Sequence, residues 1–223
     1  AVRAEAQTKL DAWNSGSSPV ENGDQYFFYK SVVITCDAYI TLAHRYAALC
    51  RETAQKTAAP GRRAELERMA DSLDWIAEHP ARTFAEAVQG TCLYQFFLYI
   101  DGDYQCPSFG RFDQYMYPLY QADLARGVSE DFMSDLVNEL KLKVSELKIY
   151  RPAMEAQSYA GCPLWMHMFL GGQLQNGKDA CNGLTDLVLR SIIEMPTKEP
   201  AMSFRYHNNI NRNTLRLALE CIR

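Results

Sequence analysis

The sequence predicts an α/β fold. A mostly helical portion, about residues 1–160, leads into the first strands of a sheet or barrel at about 161–223. Three observations carry this reading. Apolar residues recur at close to 3.6-residue spacing through the first half. Start and stop signals bracket those segments. The last third reads strand, helix, strand, and a crossover of that length belongs to a parallel βαβ unit. The whole chain, 1–223, is taken as part of one domain.

The elements follow in order. Asp24 to Thr57 carries Tyr26, Tyr29, Val33, Cys36, Ala43, Tyr46 and Leu49 on one helical stripe, and Ala59-Pro60-Gly61 breaks it. Ala64 to Ala77 continues with Leu66, Met69, Leu73 and Ile76. Thr83-Phe84-Ala85-Glu86 has the form of a capping box that opens a helix to about Ile100. Apolar on nearly all sides, that helix is expected to be buried. Asp101 to Gly110 is read as a loop. Pro118 opens a short helix that Gly127 ends, and Ser129 caps the next, with Met133, Leu136, Val137, Leu140, Val144 and Leu147 on its stripe. The character changes near Arg151-Pro152. Trp165 to Leu174 reads as a strand closed by a Gln175-Asn176-Gly177 turn. Asp179 to Glu194 is helical, with Asp179 as its cap, and Ala201 to Tyr206 is a second strand. Asn211 or Asn213 caps a last helix.

Composition narrows the function classes. The 223 residues are 48% hydrophobic, as a packed core requires, and the net charge of −4 without any basic block argues against nucleic acid or an anionic membrane. The longest apolar stretches, such as Thr91 to Ile100, are too short to span a bilayer. Seven cysteines without a C-x-x-C pair offer no zinc or iron–sulfur framework, and several fall within helical apolar patterns, which fits a reducing cytoplasm. The chain opens on Ala1 rather than Met, and Arg223 closes an amphipathic segment without a stop signal. It is therefore read as an interior piece of a longer protein.

Six stretches in order resemble the glycyl radical enzymes, the pyruvate formate-lyase family. They are Tyr29-Lys30-Ser31-Val32-Val33-Ile34, Ala43-His44-Arg45-Tyr46-Ala47, and the run from His79 to Gln89 (HPARTFAEAVQ). Then come Gly110 to Tyr120 (GRFDQYMYPLY), Leu170-Gly171-Gly172-Gln173 with Asn176 to Ala180, and Ser203-Phe204-Arg205-Tyr206-His207. The resemblance implies a ten-stranded α/β barrel wrapped by helices, here incomplete. It implies that no cofactor is bound directly; a backbone glycyl radical is installed by an activating enzyme that uses S-adenosylmethionine and an iron–sulfur cluster. It further implies a small-molecule substrate, small accessory subunits in some members, and a homo-oligomer when complete. The family's thiyl cysteine sits in a G-C-x-E loop several tens of residues past the Ser203–His207 match, and its glycine lies further on. Cys162 follows Gly161 but lacks the glutamate and precedes Leu-Gly-Gly, so it is not the radical carrier. No catalytic residue is expected in this piece, which alone should be inactive.

The substrate-binding candidates are Gln105, Cys106, Cys162, Trp165 and His167. The family's diol dehydratases place a His-Ser pair before the G-R-[FM]-D-Q-Y run, and here Gln105 and Cys106 stand at those positions, which disfavours diol dehydration. Strand alternation puts Trp165, His167 and Phe169 on one face and Met166, Met168 and Leu170 on the other. So apolar a segment suits a hydrocarbon or aryl substrate, although a sheet buried on both faces would read the same way. The expectation is thus a fumarate-adding enzyme of the benzylsuccinate or alkylsuccinate synthase kind. A decarboxylase or a C–N or C–O lyase remains open, as does a non-catalytic truncated relative. Arg111 and Asp113 are read as a salt bridge that fixes its loop, and Tyr115, Tyr117 and Tyr120 as packing residues with a polar tip.

Overall fold

A computed structural model of the chain describes residues 1–17, 23–102, 107–147, 153–158 and 166–222. Two compact units divide it, residues 1–80 and 81–223.

The first unit holds three helices among its described residues: α1 (Val2–Asn14), α2 (Gly23–Lys56) and α3 (Pro60–Ile76). Three residues join α2 to α3, with Pro60 in the first turn of α3, where a missing N–H costs nothing. The pair meets through Ala43, Ala47, Cys50 and Ala54 on α2 and Leu66, Ala70, Leu73 and Ile76 on α3. The stripe read from the sequence departs from this one. Tyr46 and Leu49 are 40% and 53% exposed, and their places are taken by Ala47 and Cys50. Small side chains let the two helix backbones approach, so the buried seam follows Ala and Cys rather than the bulkiest apolar residues. Arg51 of α2 ties the pair at its edge by pairing with both Asp71 and Asp74, and His44 also meets Asp74, at 2.7 Å.

The second unit combines a small parallel sheet with helices packed against it. Its described elements are α4 (Phe84–Gly102), β1 (Gly110–Arg111), α5 (Phe112–Tyr115), α6 (Tyr117–Ala125) and α7 (Glu130–Ser145). After them come α8 (Ala153–Ser158), β2 (His167–Gly171), α9 (Gly183–Glu194), β3 (Ala201–Arg205) and α10 (Arg212–Glu220). The strand order is β1-β2-β3, all parallel, with β2 and β3 joined through α9 as the expected βαβ unit. The two-residue β1 lies at the end of what the sequence reads as loop; so short a run shows no alternation to detect. Ser129 caps α7 by accepting from Phe132 N, as expected.

One apolar core fills this unit. Phe84 and Val88 of α4, Met133, Val137 and Leu140 of α7, and Leu184, Leu187 and Val188 of α9 pack with Met168 and Leu170 of β2. Met166, Met168 and Leu170 are fully buried, and each such side chain contributes roughly 1.5–3 kcal/mol of hydrophobic stabilisation. Helix α4 is less buried than its sequence suggests: Tyr94 and Ile100 are 51% and 66% exposed. Its start is also only half of a capping box. Thr83 Oγ1 accepts from Glu86 N, whereas the Glu86 carboxylate turns back to Arg82, taking its backbone N–H at 2.7 Å and its guanidinium. Among the described residues no helix is long and apolar enough to cross a membrane.

Candidate functional site

The run Gly110-Arg111-Phe112-Asp113-Gln114 is a bracket for the carboxyl end of β2. Asp113 is fully buried, and its Oδ2 accepts from Gly171 N and from Thr185 Oγ1, both at 2.6 Å. Arg111 Nη2 donates to the carbonyl of the same Gly171 at 2.9 Å. Gln114 Nε2 donates to Ala180 O at 2.8 Å, and Asn182 Nδ2 to Asp113 O at 2.9 Å. One motif thus grips the last residue of β2, the loop after it and the first turn of α9. Among the described residues Arg111 and Asp113 form no ion pair, which corrects the expected salt bridge. Each is instead committed to the Gly171 peptide, one to its carbonyl and one to its N–H. Burial pushes the Asp113 carboxyl up, although the bonds from Thr185 and Gly171 oppose that shift.

The Gly171-Gly172 pair explains why that end needs glycine. Both have positive φ, 68° and 87°. A Cβ on Gly171 would lie 3.1 Å from Cys181 Sγ and 3.2 Å from a Phe204 ring carbon, and one on Gly172 would lie 3.3 Å from Arg205 Cβ. The loop that follows is fastened by Asp179. It is not the cap of α9; Asn182 is, through a capping box with Thr185. Asp179 accepts from Cys181 N, from His207 Nε2 at 3.1 Å and from Asn211 N at 2.7 Å. Burial opposes ionisation there, but these bonds outweigh it and hold the Asp179 carboxyl below its usual range. His207 Nδ1 accepts from Asn209 N at 3.2 Å, so both ring nitrogens are spent on the loop.

The two faces of the sheet differ. Register pairs Met168 with Met202 and Leu170 with Phe204 on the face packed against the helices. The other face carries His167 and Phe169 of β2 with Ser203 of β3, all half-buried and outside the apolar core. There His167 Nδ1 lies 3.0 Å from Ser203 Oγ, and its ring stacks on Phe169 at 5.9 Å between centroids. Met166, Met168 and Leu170, which carry much of the strand's apolar character, therefore belong to the helix-facing core, while Phe169 lies with His167 on the other face. Burial pushes the Cys92 thiol up to about 11 and raises Cys50, Cys181 and Cys221 as well, which disfavours a thiolate at these four positions. Among the described residues no group of three His, Cys, Asp or Glu could hold a metal ion.

Of the residues singled out from sequence, Gln105, Cys106, Cys162 and Trp165 lie outside the described residues. His167 is described, on the half-buried face. Ser203 went unassigned in the sequence, although it stands in a matched motif; its nearness to His167 depends on a strand pairing that no local pattern encodes.

The pyruvate formate lyase-like family profile matches residues 1–223. The chain belongs to that family, the glycyl radical enzymes. It is 37% identical to isethionate sulfite-lyase of Nitratidesulfovibrio vulgaris over 93% of its own length and 25% of that protein's. It is 33% identical to the probable dehydratase YbiW of Escherichia coli over 91% of its length and 25% of that protein's. A solved structure concerned with 1,2-propanediol dehydration in Roseburia inulinivorans superimposes with a TM-score of 0.90 at 31% identity, covering 99% of this chain and 28% of that one. This family member thus spans about a quarter of the length of its curated relatives. None of these three is a fumarate-adding synthase, so they favour the lyase alternative over the branch expected from the apolar strand.

Proposed function

We propose that residues 1–223 are one part of the large subunit of a glycyl radical lyase that eliminates a polar substituent from a small polar substrate by breaking a carbon–heteroatom bond. The 37% identity to isethionate sulfite-lyase across 93% of the chain carries this reading. The half-buried sheet face supports it, because His167 and Ser203 suit a substrate with hydrogen-bonding groups better than a hydrocarbon. Residues 1–223 are read as part of a single domain. Its continuation would extend the sheet at the free edge of β3, beside an apolar groove of about 750 Å³ lined in part by Met202, Phe204, Leu215 and Leu219. Gln105, Cys106, Cys162 and Trp165 stay candidates for substrate contact. The radical glycine and thiyl cysteine lie in other segments of the enzyme, an S-adenosylmethionine-dependent activating enzyme is its partner, and residues 1–223 alone are inactive. The complete enzyme is a cytoplasmic homo-oligomer.

The test is to activate the complete enzyme without oxygen and offer isethionate, 1,2-propanediol, an arylacetate, and toluene with fumarate. Release of sulfite from the first or an aldehyde from the second is the expected result. Benzylsuccinate from toluene, or carbon dioxide from the arylacetate, would replace the proposal with fumarate addition or decarboxylation.

A further inference from the structure

Two histidines lie in residues 81–223, and the structure uses them in opposite ways. His207 spends both ring nitrogens on Asp179 and Asn209 within its own loop. His167 spends only Nδ1, on Ser203. Its Nε2 has no partner among the described residues, although the side chain is half-buried. Much else about His167 is fixed. Its carbonyl accepts from Phe109 N at 2.8 Å and from Ser108 Oγ at 3.0 Å, its ring stacks on Phe169, and it sits in the middle strand of the sheet. A ring so held, with one nitrogen left over, is a preorganised hydrogen-bonding group directed away from the core. The fully buried Lys141 shows a group satisfied from within: its three donors meet Ser191 O, Ser191 Oγ and Met195 O. An unmatched nitrogen at a half-buried position on a rigid strand is open to a partner from outside the described residues.

We infer that His167 is a specificity-determining residue whose Nε2 hydrogen-bonds an oxygen of the substrate's polar substituent, a hydroxyl or an oxyanion. Ser203 is the positioning residue that fixes the imidazole. This inference rests on the lyase reading above. It adds the atom that reads the substrate and the side chain on the neighbouring strand that orients it.

The experiment uses the complete enzyme, activated without oxygen, with isethionate and 1,2-propanediol as probes, and isethionate binding to the unactivated enzyme by calorimetry. His167→Phe keeps a flat ring on Phe169 and removes the nitrogens. Losing one such bond raises KM and the isethionate Kd by roughly 10- to 100-fold, with kcat falling less. His167→Gln, whose amide reaches about as far as Nε2, restores part of the loss. Ser203→Ala raises KM roughly 3- to 10-fold, since the ring is then free to turn. Thermal unfolding of each variant identifies any that fails to fold; if His167→Phe does, Ser203→Ala and His167→Gln decide. An active wild type whose folded variants keep KM and Kd unchanged overturns the inference alone. A wild type that turns over neither probe overturns the lyase reading, and the inference falls with it.

Discussion

The two faces of β2 are built from alternate residues of one five-residue strand, yet they obey different rules. On the helix side Met168 and Leu170 have no exposure at all, and volume and apolarity decide what fits. On the other side His167 and Phe169 are half-buried, and a hydrogen bond to the neighbouring strand decides what fits. Read as a string, HMFL is one apolar run with a histidine in it. Folded, it is a wall of the core backed by a half-buried platform that pairs one imidazole with one phenyl ring. An apolar strand is therefore weak evidence for an apolar pocket until the covered face is known.

The sharpest way to break this contrast is to truncate one residue from each face. Met168→Ala is expected to cost about 2–5 kcal/mol, because the removed atoms leave a cavity in the apolar core. Phe169→Ala should cost clearly less, despite its larger side chain, because part of that ring already meets solvent. Urea unfolding of the two variants checks this; equal losses would mean that the second face is also core.

A second effect asks how the core side tolerates charge. Lys141 of α7 is 1% exposed, and its three acceptors lie at the carboxyl end of α9, where the helix dipole favours a cation. Burial still pushes it down to about 8 from 10.5. Between those values the unfolded chain binds more protons than the folded one, so the contribution of Lys141 to stability rises with pH from about 8 to 10.5. Across the window the gain is at most about 3.5 kcal/mol, at about 1.4 kcal/mol per pKa unit. Cysteines titrate in the same range with the opposite sign, so the quantity to measure is wild type minus Lys141→Met at each pH. A difference that stays flat from pH 8 to 10.5 would show that the three acceptors cancel the cost of burial.

How much of this was legible in the sequence depends on the range of the interaction. Helices α2, α3, α6 and α7 are written locally, in periodicity, Pro60, Gly127 and the Ser129 cap. The βαβ unit is too, in two apolar runs and the segment between them. Three features are not local. The seam of α2 runs through Ala47 and Cys50 because α3 approaches closely there. Asp113 serves Gly171 and Thr185, 58 and 72 residues away, so its neighbour Arg111 seemed its natural partner. Ser203 gains its place beside His167 only through strand register. Asp179 misleads for a different reason: an acid just after an Asn-Gly turn looks like a helix cap, but three backbone and side-chain donors from its loop and from the loop after β3 claim it first.

The smallest effect separates two glycines that sequence alone treats alike. Gly171 and Gly177 both have positive φ, 68° and 77°; the first ends β2 and the second sits in the turn after it. A Cβ on Gly177 meets nothing within 4 Å, so Gly177→Ala bears only the left-handed backbone cost, about 1 kcal/mol. Gly171 bears that cost too, and its Cβ would press on Cys181 and on Phe204, the latter in the core-facing row of β3. Gly171→Ala is therefore expected to cost about 2 kcal/mol, and a further consequence sets it apart. The Gly171 peptide is gripped by Asp113 and Arg111, so displacing it moves the end of β2 that orients the His167 face. In the complete enzyme Gly171→Ala should raise KM for the preferred substrate several-fold, whereas Gly177→Ala leaves it near wild type. If both alanines lower stability equally and neither touches KM, the bracket is scaffolding for the core and the polar face is held by other means.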